Sequence, residues 1–173
     1  MFNLLEWGMK VKKIVEKCYQ FAIDNMSNCQ SWNMQGYKRL NRLNSNCYLK
    51  YNHQISNYIT EFTGKPLVQS NINHVADTPI DLKDYLMKTI SNIEKHIEEL
   101  VELNIEYAQS NGIACEITVC LQKHLEELHY RLKRKQERYN DVQWMMHDIY
   151  VDDNHLHSEI EDIEKTKGFQ QGY

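Results

Sequence analysis

Apolar residues recur every three or four positions along four long stretches of this chain, and this spacing constrains the fold more than any other feature. Such a period places side chains on one face of an α-helix, whereas a half-buried strand requires alternation at every second residue. The two prolines and six glycines among the 173 residues are few, and most of them fall between the periodic stretches. The sequence therefore predicts an all-α protein with one hydrophobic core.

Four long helices and a shorter fifth are predicted. The second helix should end at Thr63-Gly64-Lys65-Pro66, because glycine suits a left-handed cap and proline prevents continuation. Residues 67–79 show no helical period, and a connection of this length allows the second and third helices to run parallel. Asp81 and Asp84 suit the start of the third helix. The predicted helices cover residues 9–32, 35–62, 114–139 and 156–167, and the third runs from 80 or 81 to a stop at Asn111-Gly112.

Composition narrows the class of partner. A net charge of −4 disfavours nucleic acid, and the basic run Arg131 to Arg138 is interpreted as a solvated helix end. Five cysteines without a CxxC pair favour reduced thiols, interpreted as small core residues. No apolar window approaches the roughly 20 residues that span a bilayer. A cytoplasmic protein without a membrane segment is expected.

The most specific polar motif is Glu126-Glu127-Leu128-His129 in the fourth helix. Glu126 and His129 lie three residues apart, so they share a helical face and could ligate one metal ion such as iron or manganese. Glu94 lies near the edge of the buried face of the third helix, and Glu16 on the first helix could turn inward in a similar way. The alternative interpretation, that these side chains are solvated, stays open.

A second polar cluster, Asp152-Asp153-Asn154-His155, lies near the C-terminus. Its oxygen and imidazole groups could collect divalent cations. Most acidic runs are solvated surface, and this second interpretation is favoured.

Two stretches of the second helix resemble the ferritin family: Gly36-Tyr-Lys-Arg-Leu at its start and Asn57-Tyr-Ile-Thr-Glu-Phe-Thr-Gly-Lys-Pro66 at its end. The spacing from Glu94 to Glu126-x-x-His129 also resembles that of bacterioferritin-type members. The resemblance covers most of residues 10–140. It implies a ferritin-like four-helix bundle over residues 1–140, with a long crossover between the second and third helices and a C-terminal extension with a short helix over residues 141–173.

The resemblance also implies iron as the cofactor, and the ligand candidates that it implies are Glu16, Glu94, Glu126 and His129. The second helix departs from the family, because Tyr48 and Tyr51 fall about where working ferroxidase centres carry Glu-x-x-His. A neutral phenol titrates near 10 and is a poor ligand for ferrous iron. His53 is expected on the outer face and should not replace the missing ligands.

The resemblance and the departure on the second helix leave two possible functions. The first is iron binding and storage by a homo-oligomer with an incomplete di-iron site and weak ferroxidase activity. The alternative is a metal-free bundle that acts as a binding or structural interaction module, with a protein partner. In that case hydrogen bonds from Tyr48 or Tyr51 to Glu94 or Glu126 would stabilise buried carboxylates without metal.

Overall fold

Five α-helices make up the regular secondary structure that a computed structural model describes for this chain, and the described ranges contain no strand. This confirms the predicted all-α class. The structure describes residues 3–65, 78–107, 112–141 and 146–166. The helices are α1 (Leu4–Ser31), α2 (Gln35–Thr63), α3 (Leu82–Tyr107), α4 (Gly112–Tyr139) and α5 (Met146–Thr166).

Local capping explains where the helices begin and end. The backbone N–H of Glu6 donates to Asn3 Oδ1 at 3.1 Å, and this cap starts α1 earlier than its apolar spacing predicts. At the start of α3 the backbone N–H of Asp84 donates to Asp81 Oδ1 at 2.9 Å, which confirms the predicted role of Asp81. Gly64 has a φ of 68°, so the predicted left-handed cap of α2 is also confirmed. The predicted start of α5 at Leu156 is wrong, because α5 begins at Met146.

The first two helices are antiparallel. Near the start of α1, the Trp7 ring packs edge-on against Tyr58 of α2, with 6.0 Å between the ring centroids. Near the end of α1, Asn41 Nδ2 donates to Cys29 Sγ at 3.8 Å. Early residues of α1 therefore meet late residues of α2, as a short connection between two helices requires.

The third helix runs parallel to α2. Tyr85, close to the start of α3, packs against Trp32 and Tyr37, with ring centroids 6.3 and 5.9 Å apart. At the other end of α3, Glu106 Oε1 lies 3.6 Å from Lys10 Nζ near the start of α1. The predicted connection between α2 and α3 falls mostly on residues 66–77, which lie outside the described residues.

The fourth helix returns antiparallel to α3. Asn104 Nδ2 donates to Gln122 Oε1 at 2.7 Å, and the hydroxyls of Tyr37 and Tyr139 are 2.7 Å apart where α4 ends beside the start of α2. Leucines at helical spacing on α4 are buried in the core, as the pattern predicts, at positions 121, 125, 128 and 132.

The fifth helix packs closely against the start of α2. The carboxylate of Asp153 accepts hydrogen bonds from the backbone N–H groups of Gly36 at 3.1 Å and Tyr37 at 3.0 Å. The residue before α2, Met34, provides no side-chain cap, so a carboxylate distant in sequence satisfies these helix-terminal donors. A Cβ atom at position 36 would collide with the backbone carbonyl oxygen of Asp153, so only glycine allows this approach.

The neighbouring Asp152 binds α5 to the end of α4. Its carboxylate accepts hydrogen bonds from Lys135 Nζ at 2.7 Å, Arg138 Nη1 at 2.9 Å and the Tyr139 hydroxyl. Burial alone would raise the pKa of Asp152, but these donors outweigh burial and lower it. Asp152 and Asp153 are both buried, so the interpretation of this acidic run as solvated surface is wrong for them.

The five cysteines form no disulfide with one another and occupy three environments, of which the half-buried one holds Cys115. Cys18, Cys29 and Cys47 are buried, which confirms that they are core residues. Cys120 is exposed, so the interpretation of all five as core residues is wrong for it. Within the described ranges, no helix is both long and apolar enough to cross a membrane.

Replacing Gly36 by alanine should destabilise the folded protein by about 1 to 3 kcal/mol, because the added methyl group forces α5 away from α2. The measurement is the free energy of unfolding from urea denaturation followed by circular dichroism. Gly112→Ala is the matched control, since a Cβ there meets no atom within 4 Å. Equal effects of the two substitutions would contradict the close contact.

Candidate functional site

Two of the four predicted metal ligands lie in direct contact. His129 Nε2 of α4 is 2.9 Å from Glu94 Oε1 of α3, with the carboxylate as the acceptor. The side chain of Glu94 is 53% exposed and that of His129 is 29% exposed. This pair therefore lies at the rim of the groove between α3 and α4, where water reaches both groups.

The other two predicted ligands do not join this pair in the contacts that the structure shows. Glu126 is exposed, and its Oε1 accepts a hydrogen bond from Gln122 Nε2 at 3.0 Å. Glu16 lies on α1 and is half-buried. Across the described part of the chain, no three His, Cys, Asp or Glu side chains are close enough together to hold a metal ion.

Tyrosines of α2 face a histidine of α4 where the ferritin resemblance implies metal ligands. Tyr48 is buried, and its ring lies edge-on to His124 with 5.4 Å between centroids. Tyr51 also packs against His124, with 6.3 Å between the ring centroids. Burial raises the pKa of Tyr48 well above its ordinary value and raises that of Tyr51 to about 12. Both phenols therefore stay neutral, and His53 is exposed as predicted.

His124 is a residue that the sequence analysis missed. Its Nε2 is buried and has no hydrogen-bond partner in the described residues. Burial lowers the pKa of His124 to about 4, so the imidazole is neutral at pH 7. Its position three residues after Leu121 and one before Leu125, which are both fully buried, was the available signal that it lies near the core.

A small cavity of about 20 Å³, lined by both apolar and polar side chains, lies between α1, α2, α3 and α4. His96 is 3% exposed and lines this cavity. Its ring nitrogens make no hydrogen bond within the described residues, and the nearest carboxylate oxygen, Glu99 Oε1, lies 3.6 Å from Nδ1. Burial lowers the pKa of His96. The polar side chains of the lining are all neutral, and the described residues contribute no carboxylate to it: Cys18, Asn41, Asn44, Tyr48, Thr89, Asn92 and His96.

The size and chemistry of this cavity do not fit a pair of metal ions. A volume of about 20 Å³ holds roughly one water molecule. Two-metal sites place their ions about 3.5 to 4 Å apart and surround them with charged oxygen ligands. The centre of the bundle therefore offers neutral hydrogen-bonding groups in place of a di-iron ligand set.

A second concavity lies between α4 and α5. It is an open cleft of about 820 Å³. Along its floor, Asp152 contacts Lys135 and Arg138, and on one wall Arg131 Nη1 donates to Glu159 Oε1 at 2.6 Å. A volume of this order is within the range of small-molecule sites.

Comparison with protein-family models and with curated proteins finds no match to this chain.

Stability should fall as the pH is lowered from 6.5 towards 4. The unfolded chain protonates His124 near 6.5 and the folded chain only near 4, so the stability present above 6.5 is lost across this window. We expect a loss of about 1 to 3 kcal/mol from this residue. The measurement is the free energy of unfolding in urea at several pH values.

The matched variants separate His124 from the other histidines. His124→Phe keeps a ring against Tyr48 and Tyr51 and should flatten the pH dependence. His53→Gln changes an exposed histidine of α2 and should leave the dependence unchanged. An unaltered slope in His124→Phe would show that this imidazole is not buried in the neutral form.

Proposed function

We propose that this chain is a ferritin-like helical bundle without a di-iron centre, which acts as a binding or structural interaction module. The observation that carries the proposal is the neutral lining of the central cavity. In this lining, His96 and Tyr48 lie next to asparagine amides and the thiol of Cys18. A buried metal centre needs charged ligands to offset desolvation of the ion, and the described lining supplies none.

The helix directions support the ferritin-like part of the proposal. The helices α1 and α4 run one way, and α2 and α3 run the other way, as the contacts of Tyr85, Tyr139 and Glu106 indicate. The resemblance of the second helix implies this order, with a crossover between α2 and α3. The helix α5 is the C-terminal addition to that arrangement.

Iron binding and storage is the second candidate, and the contact between Glu94 and His129 favours it. A carboxylate and an imidazole 2.9 Å apart at a water-accessible rim are ligand types that ferrous iron accepts. Rotation of Glu126 away from Gln122 would add a third ligand from the same helix as His129. Such a half-site would lie outside the central cavity and would take iron as substrate, with weak ferroxidase activity.

An anaerobic ferrous titration of the apo-protein, followed by exposure to air, distinguishes the two candidates. The metal-free proposal predicts no stoichiometric binding and no ferric absorbance. Stoichiometric binding that Glu94→Ala abolishes would overturn it in favour of the half-site. Glu98→Ala, which removes another exposed carboxylate of α3, is the matched control and should have no effect under either candidate.

Self-association belongs to the same proposal. Met9, Phe62 and Ile105 are 62%, 61% and 77% exposed, and they lie at the end of the bundle where α1 begins and α2 and α3 end. Exposed apolar side chains of this kind are typical of a protein contact, and a second copy of this chain is the occupant that the ferritin resemblance implies.

Replacing Ile105 by serine should lower the native mass if this end joins two copies. Sedimentation equilibrium of the wild type and the variant measures the change. Met87→Ser, an exposed apolar residue near the opposite end of α3, is the control and should keep the native mass. A wild-type protein that sediments as a monomer at all concentrations would contradict self-association.

A further inference from the structure

The cleft between α4 and α5 carries more positive charge at one end than at the other. Its lining combines five cationic side chains with four carboxylates. One wall of the cleft belongs to α4 and the other to α5. The half towards the end of α4 is lined by four of the cations and only two of the carboxylates: Arg131, Arg134, Lys135 and Arg138 against Asp152 and Glu159. Positive charge is therefore in excess in this half.

Both carboxylates in this half are already engaged by the protein. Asp152 accepts three hydrogen bonds, from Lys135, Arg138 and the Tyr139 hydroxyl, and it is buried at the floor. Glu159 accepts from Arg131 at 2.6 Å on the wall. These contacts hold the cationic side chains in fixed positions, which lowers the entropic cost of binding an anion.

Arg134 differs from the other cations because its contacts in the described structure are with an aromatic residue. Its Nη1 donates to the Tyr130 hydroxyl at 3.3 Å, and its guanidinium carbon lies 5.5 Å from the centre of the same ring. The ring orients the guanidinium without neutralising its charge. A guanidinium held in this way can offer two parallel N–H groups to an oxyanion.

We propose that this half of the cleft binds the phosphate group of a small phosphorylated molecule, with Arg134 as the principal contact and Lys135 and Arg131 beside it. The inference rests on the proposed role of the chain as a binding module and specifies the ligand class of that module. The volume of about 820 Å³ leaves room for a molecule larger than phosphate alone. A polyanion is a poorer fit, because the net charge of the chain is −4 and repels an extended negative ligand.

Isothermal titration of the full chain with inorganic pyrophosphate at low ionic strength tests this site. We expect saturable one-to-one binding that weakens at least about tenfold in Arg134→Gln, since the loss of one charged hydrogen-bond donor removes about 1.5 to 3 kcal/mol. Lys133→Gln is the matched control, because it removes the same charge from the adjacent, exposed position outside the lining. The affinity of Lys133→Gln for pyrophosphate should stay within about twofold of the wild type, because this variant loses only a screened long-range attraction.

Three results would overturn the inference: no saturable binding by the wild type, an equal loss in Lys133→Gln and Arg134→Gln, or unchanged affinity in Arg134→Gln. Circular dichroism of each variant establishes that the fold is retained. The ferrous titration is decided by Glu94→Ala, and Glu94 does not line this cleft, whereas pyrophosphate binding is decided by Arg134→Gln. Failure of the cleft site and failure of the metal-free proposal can therefore be distinguished.

Discussion

The carboxylate of Asp153, which receives the first backbone N–H groups of α2, is the interaction on which the arrangement of the helices depends. An uncapped helix start inside a bundle would leave buried donors without acceptors, and each would cost about 1 to 3 kcal/mol. Asp153 satisfies the donors of Gly36 and Tyr37 from α5. Burial raises the pKa of Asp153, and the two donated hydrogen bonds only partly oppose this rise. The carboxylate therefore loses much of its solvation in this position. The absence of a side chain at Gly36 is what permits the contact.

This contact joins α5 to the rest of the protein. Through Asp152, the same turn of α5 binds the last turns of α4, so two adjacent carboxylates connect the start of one helix to the end of another. The cleft between α4 and α5 exists because these contacts fix the two helices side by side. The helix α5, which the sequence analysis placed in a C-terminal extension, thus forms part of the surface that we propose to be functional.

The interior of this helical bundle explains why the ferritin-like fold that we propose does not require a di-iron site. The described lining of the central cavity combines apolar side chains with polar ones that include no carboxylate, lysine or arginine, and burial lowers the pKa of His96. Glu94 stays solvated because it lies at the rim of the groove between α3 and α4, where it pairs with His129. A neutral polar centre can retain the packing of four helices without requiring a cation to hold carboxylates together.

Apolar periodicity determined the all-α class and the approximate extent of α2 and α4, and glycine followed by proline predicted the left-handed cap at Gly64. These features depend on residues within a turn or two of each other. The motif on the fourth helix and the resemblance to ferritins named Glu94 and His129 as ligand candidates. A local pattern could not show that Asp152 and Asp153 are buried, that His124 packs against Tyr48 and Tyr51, or that Glu126 turns towards Gln122. Those features depend on which side chains from distant helices meet, and a local pattern carries no information about that. The burial of a charge and the depth of a cleft were decided only when the helices packed, because desolvation and pairing are properties of the assembled interior.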